Sequence, residues 1–312
     1  MKLLSVVLVG LVGSVTPALR LGAGAQQQPP PKIAVRVDLV ALDVEVLDPQ
    51  GEPVTGLQRN DFIIRENGIP REISSFAWVS GQPISLTAIL DTSAVTPNSL
   101  SIAKEFIVLL AHLLARQDEV CLYSFDYRDA YLEQDFTGDR PLLLRALENI
   151  GVTPPKKRSF LRGLFGKPPR AGLSIDVALL NASRGRNQRK ALIFVSNRFR
   201  GLGQATLDHV LESGVPVFLL SLVGEENDPT ATDRGDSSQR QIVRESGGRE
   251  FLADGASITS VCRSIAYALK NHYTITYPTE IGPPDRTPRR IEVAVPGQDY
   301  VIHARRSYAP AP

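Results

Sequence analysis

Two hydrophobic periods divide the chain. Between residues 33 and 79 apolar and polar positions alternate. Val35, Val37 and Leu39 flank Arg36 and Asp38, and Leu42, Val44 and Val46 flank Asp43 and Glu45. That period of two predicts half-buried strands. Asp48-Pro-Gln-Gly51 reads as a turn. Asn67-Gly68, after Phe62-Ile-Ile-Arg-Glu66, predicts a hairpin whose return strand runs from Arg71 to Val79. No helical period occurs in this region.

The pattern changes at Pro83. Ile84 to Leu90 reads as a buried strand that stops at Asp91-Thr-Ser93, and a helix follows with Leu100, Ala103, Phe106, Ile107, Leu110, Leu113 and Leu114 on one face. Further strands are expected at Glu119–Phe125, Ala130–Phe136, Ala191–Val195, Val215–Val223 and Glu250–Leu252. Helices are expected from Asp139, as cap, to Ile150, and at 173–182, 204–213, 240–246 and 258–269. Gly247-Gly248 suits a left-handed helix end. From His272 the period of two returns, with strands at Tyr273–Tyr277, Arg290–Val295 and Tyr300–Ala304.

Strands alternating with helices predict an α/β fold with a doubly wound, mostly parallel sheet covered on both faces. Flanking β segments too short to stand alone predict one composite β-sandwich into which that unit is inserted. Over 312 residues the expected divisions are a leader at 1–25 and a linker at 26–32. The first part of the sandwich follows at 33–82, the α/β unit at 83–271 and the second part of the sandwich at 272–308.

Composition changes this picture in three places. Lys2, the apolar run Leu3–Val12 and the small residues Ala23-Gly-Ala25 read as a secretory signal peptide, expected to be cleaved after Ala25, with an uncleaved anchor as the alternative, so the chain is expected to be secreted or periplasmic. Cys121 and Cys262 both fall in apolar runs and read as buried free thiols, with one bridge between them as the alternative, and no Cys/His pair has zinc spacing. A formal charge of +2 argues against a nucleic-acid partner.

An ordered set of short motifs carries a resemblance. It includes Val54-Thr-Gly-Leu57 with Asp61-Phe62, Glu66-Asn-Gly68, Glu72-Ile-Ser-Ser-Phe76, Asp118-Glu-Val120, Phe125-Asp126 and Gln134-Asp-Phe-Thr137. Arg189-Lys-Ala-Leu192, Ser213-Gly-Val215, Ser246-Gly-Gly248 and the tail Arg305–Pro310 continue it. Together these resemble the bacterial VWFA-related family, first grouped from acidobacterial sequences and centred on a von Willebrand factor type A domain. The resemblance implies a metal-ion-dependent adhesion site, in which serine, threonine and aspartate oxygens hold a divalent cation that bridges to a partner's acidic side chain. Asp91, Ser93 and Asn197 occupy positions of that site. Val95, Gly172 and Asn197 stand where the pattern has a serine, a threonine and an aspartate. A site short of oxygens and charge is expected to hold Mg2+, Mn2+ or Ca2+ weakly or not at all.

The segment Gly151–Gly172 is basic throughout, with Lys156, Lys157, Arg158, Arg162, Lys167 and Arg170, and has no acidic residue. Arg198 and Arg200 are expected at the same end of the sheet. Two readings are open. These residues recognise an acidic protein partner, or touch an anionic membrane surface; alternatively they form a solvated loop neutralised by Glu225, Glu226, Asp228, Asp233 and Asp236. No phosphate loop or nucleophile elbow occurs, and the four histidines accompany no nucleophile. The expected function is therefore non-catalytic protein–protein interaction outside the cytoplasm, with no enzymatic activity. A phosphatase-like hydrolase using Asp91, and a structural envelope component, are the alternatives.

Overall fold

The structure, a computed structural model, describes residues 36–92, 97–126, 130–151, 171–196, 204–222, 237–281 and 287–310. The chain opens with β1 (Arg36–Leu47), β2 (Ile63–Glu66), β3 (Ile69–Arg71) and β4 (Ser75–Ser80). The α/β segment follows as β5 (Ile84–Asp91), α1 (Pro97–Leu113), β6 (Glu119–Phe125), β7 (Ala130–Thr137), α2 (Arg140–Asn149) and α3 (Ala171–Ala182). It continues with β8 (Arg189–Ser196), α4 (Gln204–Ser213), β9 (Val217–Leu222), α5 (Ser237–Ser246), β10 (Glu250–Ala253) and α6 (Ile258–Lys270). Four strands close the chain: β11 (Asn271–Ile281), β12 (Arg289–Ala294), β13 (Val301–Ala304) and β14 (Ser307–Tyr308).

The central sheet runs β10-β9-β8-β5-β6-β7, parallel except for the edge strand β7. Every residue of β5 and β6 is buried, which explains their continuous apolar runs: each face packs under helices. Leu100, Phe106 and Ile107 of α1, Leu143 of α2 and Ile265 of α6 cover Leu86, Ala88 and Leu90 on one face. Ile175 of α3, Val210 of α4 and Ile242 of α5 cover Ile89 and Phe194 on the other. The i, i+3, i+4 spacing in α1 buries Leu100, Ala103, Phe106, Ile107 and Leu110. Leu113, expected on that face, is exposed; Leu114, just past the helix, is buried in its place. Asp139 caps α2 by accepting the Leu142 N–H at 3.4 Å. Cys121 and Cys262 are buried free thiols, and burial pushes both up to about 12, so both stay protonated.

Strands from the two ends of the chain share a second core. One four-stranded sheet runs β13-β1-β11-β4 and another β14-β12-β2-β3. Val40, Leu42, Val44 and Val46 from β1 meet Tyr273, Ile275 and Tyr277 from β11 and Ile64 and Ile291 from the facing sheet. Two expectations are corrected here. Leu39 is exposed, because β1 is one continuous strand and the even positions from Val40 onward face the core. The return strand expected from Arg71 to Val79 is two strands: β3 pairs with β2, while β4 crosses into the other sheet and pairs with β11. Ile73 is buried at the corner between them.

A few polar contacts fix the α/β segment to the sandwich. Asp118 is buried and accepts from Lys270 Nζ at 2.6 Å and from the Ile84 N–H at 2.9 Å, tying the end of the segment to its beginning. The Gly81 N–H donates to the Lys270 carbonyl at 3.0 Å. Arg189, at the start of β8, donates to the Leu269 carbonyl at 2.6 Å, to His272 Nε2 at 2.8 Å and to the Asp43 carboxylate of β1. Arg249 pairs with Glu45 at 3.4 Å.

Candidate functional site

In a doubly wound sheet the crevice for ligands opens beyond the carboxyl ends of the strands, where the winding direction reverses. Here the chain runs from β5 outward through β6 to β7, then returns to the other side of β5 with β8, β9 and β10. The reversal therefore lies between β5 and β8. Asp91 ends β5 and Ser196 ends β8.

These two residues meet. Ser196 Oγ donates to Asp91 Oδ2 at 2.6 Å, and both side chains are buried, Asp91 at 5% exposure and Ser196 at 2%. On the other side of Asp91, the Thr92 N–H and hydroxyl both donate to the Phe125 carbonyl at the end of β6, at 2.8 and 3.0 Å. Thr92 is buried as well. The floor of the crevice is thus a short chain of hydrogen bonds that links the ends of three adjacent strands, with one carboxylate at its centre. Sequence reasoning singled out Asp91 but missed Ser196. Its signal is a hydroxyl closing an apolar strand, informative only once β8 is known to neighbour β5.

Ser93, Val95, Asn197, Arg198 and Arg200 lie outside the described residues, as do Lys156, Lys157, Arg158, Arg162, Lys167 and Arg170 and the acids from Glu225 to Asp236. Gly172 falls within the first turn of α3. The described ends of the basic segment can be placed. α2 starts where β7 ends, beside the amino end of β6, and runs toward the carboxyl edge; α3 begins at that edge and leads back to the start of β8. Gly151 and Ala171 therefore flank the same edge as Asp91.

Of the residues assigned to a cation, Asp91 alone is described. One of its oxygens accepts from Ser196, and the Thr92 hydroxyl is turned to a carbonyl. Among the described residues no group of three or more His, Cys, Asp or Glu could hold a metal. The other side-chain donors that the resemblance assigns to a cation, Ser93 and Asn197, lie outside the described residues.

By its strand order and two helical layers, the α/β segment is of the doubly wound class in which von Willebrand type A domains fall. No protein-family model matches the chain, and no curated protein matches it. Similar solved structures include an aerotolerance-related membrane protein from Bacteroides fragilis, at 20% identity over 60% of this chain and 98% of that one, with a TM-score of 0.45. A von Willebrand factor type A protein from Catenulispora acidiphila is 9% identical over 80% of this chain and 75% of that one, with a TM-score of 0.47. The von Willebrand domain of the type V pili tip protein Mfa5 from Porphyromonas gingivalis is 10% identical over 61% and 95%, with a TM-score of 0.43. Among the described residues no helix is long and apolar enough to cross a membrane.

Proposed function

We propose that this protein is a non-catalytic interaction module that works outside the cytoplasm and takes an acidic protein partner at the carboxyl edge of its central sheet, with weak or no dependence on metal. The carrying observation is the crevice at the switch point, where Asp91 is buried and bonded to Ser196. A nucleophile must reach its substrate, and a carboxylate at 5% exposure that already accepts a short hydrogen bond does not favour that role. It favours a rigid floor that holds the ends of β5, β6 and β8 together beneath the loops. Those loops supply the recognition in this reading. The segment between Gly151 and Ala171 is basic with no acid, and its described ends flank that edge. The leader at 1–25 supports the extracytoplasmic setting.

Two experiments test this reading. A polyglutamate peptide serves as a generic acidic probe: the protein should bind it, and reversing Arg158, Arg162 and Arg170 to glutamate should weaken binding at least about tenfold at low salt. Equal binding by wild type and the triple variant would refute the acidic-partner reading. Calorimetric titration with magnesium, manganese and calcium should give no micromolar binding. Micromolar binding abolished by Asp91→Ala would replace this proposal with a metal-bridged site.

A further inference from the structure

The margins of the three sheets differ in how they are guarded. A marginal strand offers a row of backbone donors and acceptors to any added strand, and proteins block this with charges, prolines, bulges or short strands. Among the described residues β3 has Pro70 and Arg71, and β7 has Glu133, Asp135 and two shifts of register. β10 has Glu250 and spans four residues; β13 spans four and β14 two. The remaining margin is β4. Its sequence, Ser75-Phe-Ala-Trp-Val-Ser80, contains no charge, proline or glycine, and Ser75, Ala77, Trp78 and Ser80 are exposed.

The alternation along β4 decides what an added strand would meet. Phe76 and Trp78 share the core face of Tyr273, with ring centroids 5.6 and 4.8 Å from it. Ala77 pairs with Thr274, which pairs in turn with Asp43, so Ala77 and Val79 lie on the opposite face. A second copy related by a two-fold axis normal to the sheet brings positions of equal parity opposite one another. With that axis at Ala77, Phe76 faces Trp78 of the second copy, and the reciprocal pair repeats the contact. Ser75 faces Val79 of the second copy, and Ala77 faces itself. No like charges meet, because the strand carries none. The aromatic pairs would cover Trp78, which is 39% exposed.

We propose that β4 is a self-association edge, at which two copies of this chain pair antiparallel about Ala77 and their β13-β1-β11-β4 sheets become one. The occupant follows from the strand's own register: the same six residues complement themselves in aromatic contact, size and charge. This inference is independent of the acidic-partner reading, since β4 belongs to the sandwich and not to the carboxyl edge of the central sheet.

Sedimentation equilibrium of the purified protein should reveal a monomer–dimer equilibrium. Ala77→Glu sets two carboxylates face to face on the axis and should weaken dimerisation at least about tenfold without shifting the monomer's unfolding midpoint. Ala77→Cys should give a disulfide-linked dimer under mild oxidation, because residues opposite one another in an antiparallel pair lie within disulfide reach. Cys121 and Cys262 are buried and stay out of that reaction. A protein that sediments as a monomer throughout, a dimer indifferent to Ala77→Glu, or an Ala77→Cys dimer that does not cross-link would each overturn the proposal.

Discussion

Arg189 makes three of the contacts at the junction. Its guanidinium reaches a carbonyl of α6, the ring of His272 and the carboxylate of Asp43, so a single side chain spans the α/β segment and the sandwich. Removing one partner of a buried ion pair costs about 3–5 kcal/mol, and Arg189→Met should fall at the lower end because the Asp43 side chain is 45% exposed and keeps some water. Urea unfolding measures this, and a loss within error of zero would remove Arg189 from the junction. His303 gives a second residue-scale prediction. Burial, and then the charges of Arg249 and Arg306, lower its pKa to about 4 from the ordinary 6.5. The folded protein therefore resists taking a proton that the unfolded chain accepts, and stability should fall as pH drops from about 6.5 to about 4. In His303→Gln that part of the decline should vanish from urea midpoints measured across the range. At this scale Asp91 was legible, since it ends an apolar run. Ser196 and Arg189 were not: each gains its partner from a neighbour that no local period encodes.

At the scale of elements, local chemistry and long-range pairing divide the outcome. The helices follow from spacing and caps that lie within a few residues of one another, as Asp139 with Leu142 and the buried stripe of α1 illustrate. The Asn67-Gly68 turn likewise produces β2 and β3, with Asn67 in the left-handed region that such turns require. What the turn could not announce is that the return strand breaks at Ile73 and continues into a different sheet. The choice is made by β11, 191 residues downstream of Ser80 along the chain at their shared hydrogen bond. The end of α5 is another place where local and tertiary demands coincide. Gly247 takes φ +82, as a left-handed helix end needs, and Gly248 lies where an added Cβ would stand 1.9 Å from the Val217 carbonyl oxygen. Gly248→Ala should therefore push α5 away from β9 and destabilise the protein by about 1–3 kcal/mol, read as a lower thermal midpoint. A midpoint equal to that of wild type would mean that the approach is looser than described.

The whole molecule is a sandwich built from both ends of the chain around a doubly wound sheet. The class of each part was legible because period two and the βα alternation occupy separate stretches. The candidate site was less so, since it is assembled from strand ends that meet only through sheet order, while the basic residues and, apart from Asp91, the metal-site residues read from the sequence lie outside the described residues. The same construction sets the order in which the protein can form. Tyr273 on β11 donates its hydroxyl to the Val54 carbonyl across 219 residues of chain, and β1 pairs only with β11 and β13 among the described strands. While the chain is being synthesised β1 must wait for β11 and β13, and every residue of the α/β segment appears in between. That segment has its own two-faced core and can collapse early; the sandwich cannot close until β11 and β12 have been made. In the interval the apolar face of β1 has Phe62 and Ile64, which follow it soon in the chain, but not Tyr273, Ile275 or Tyr277.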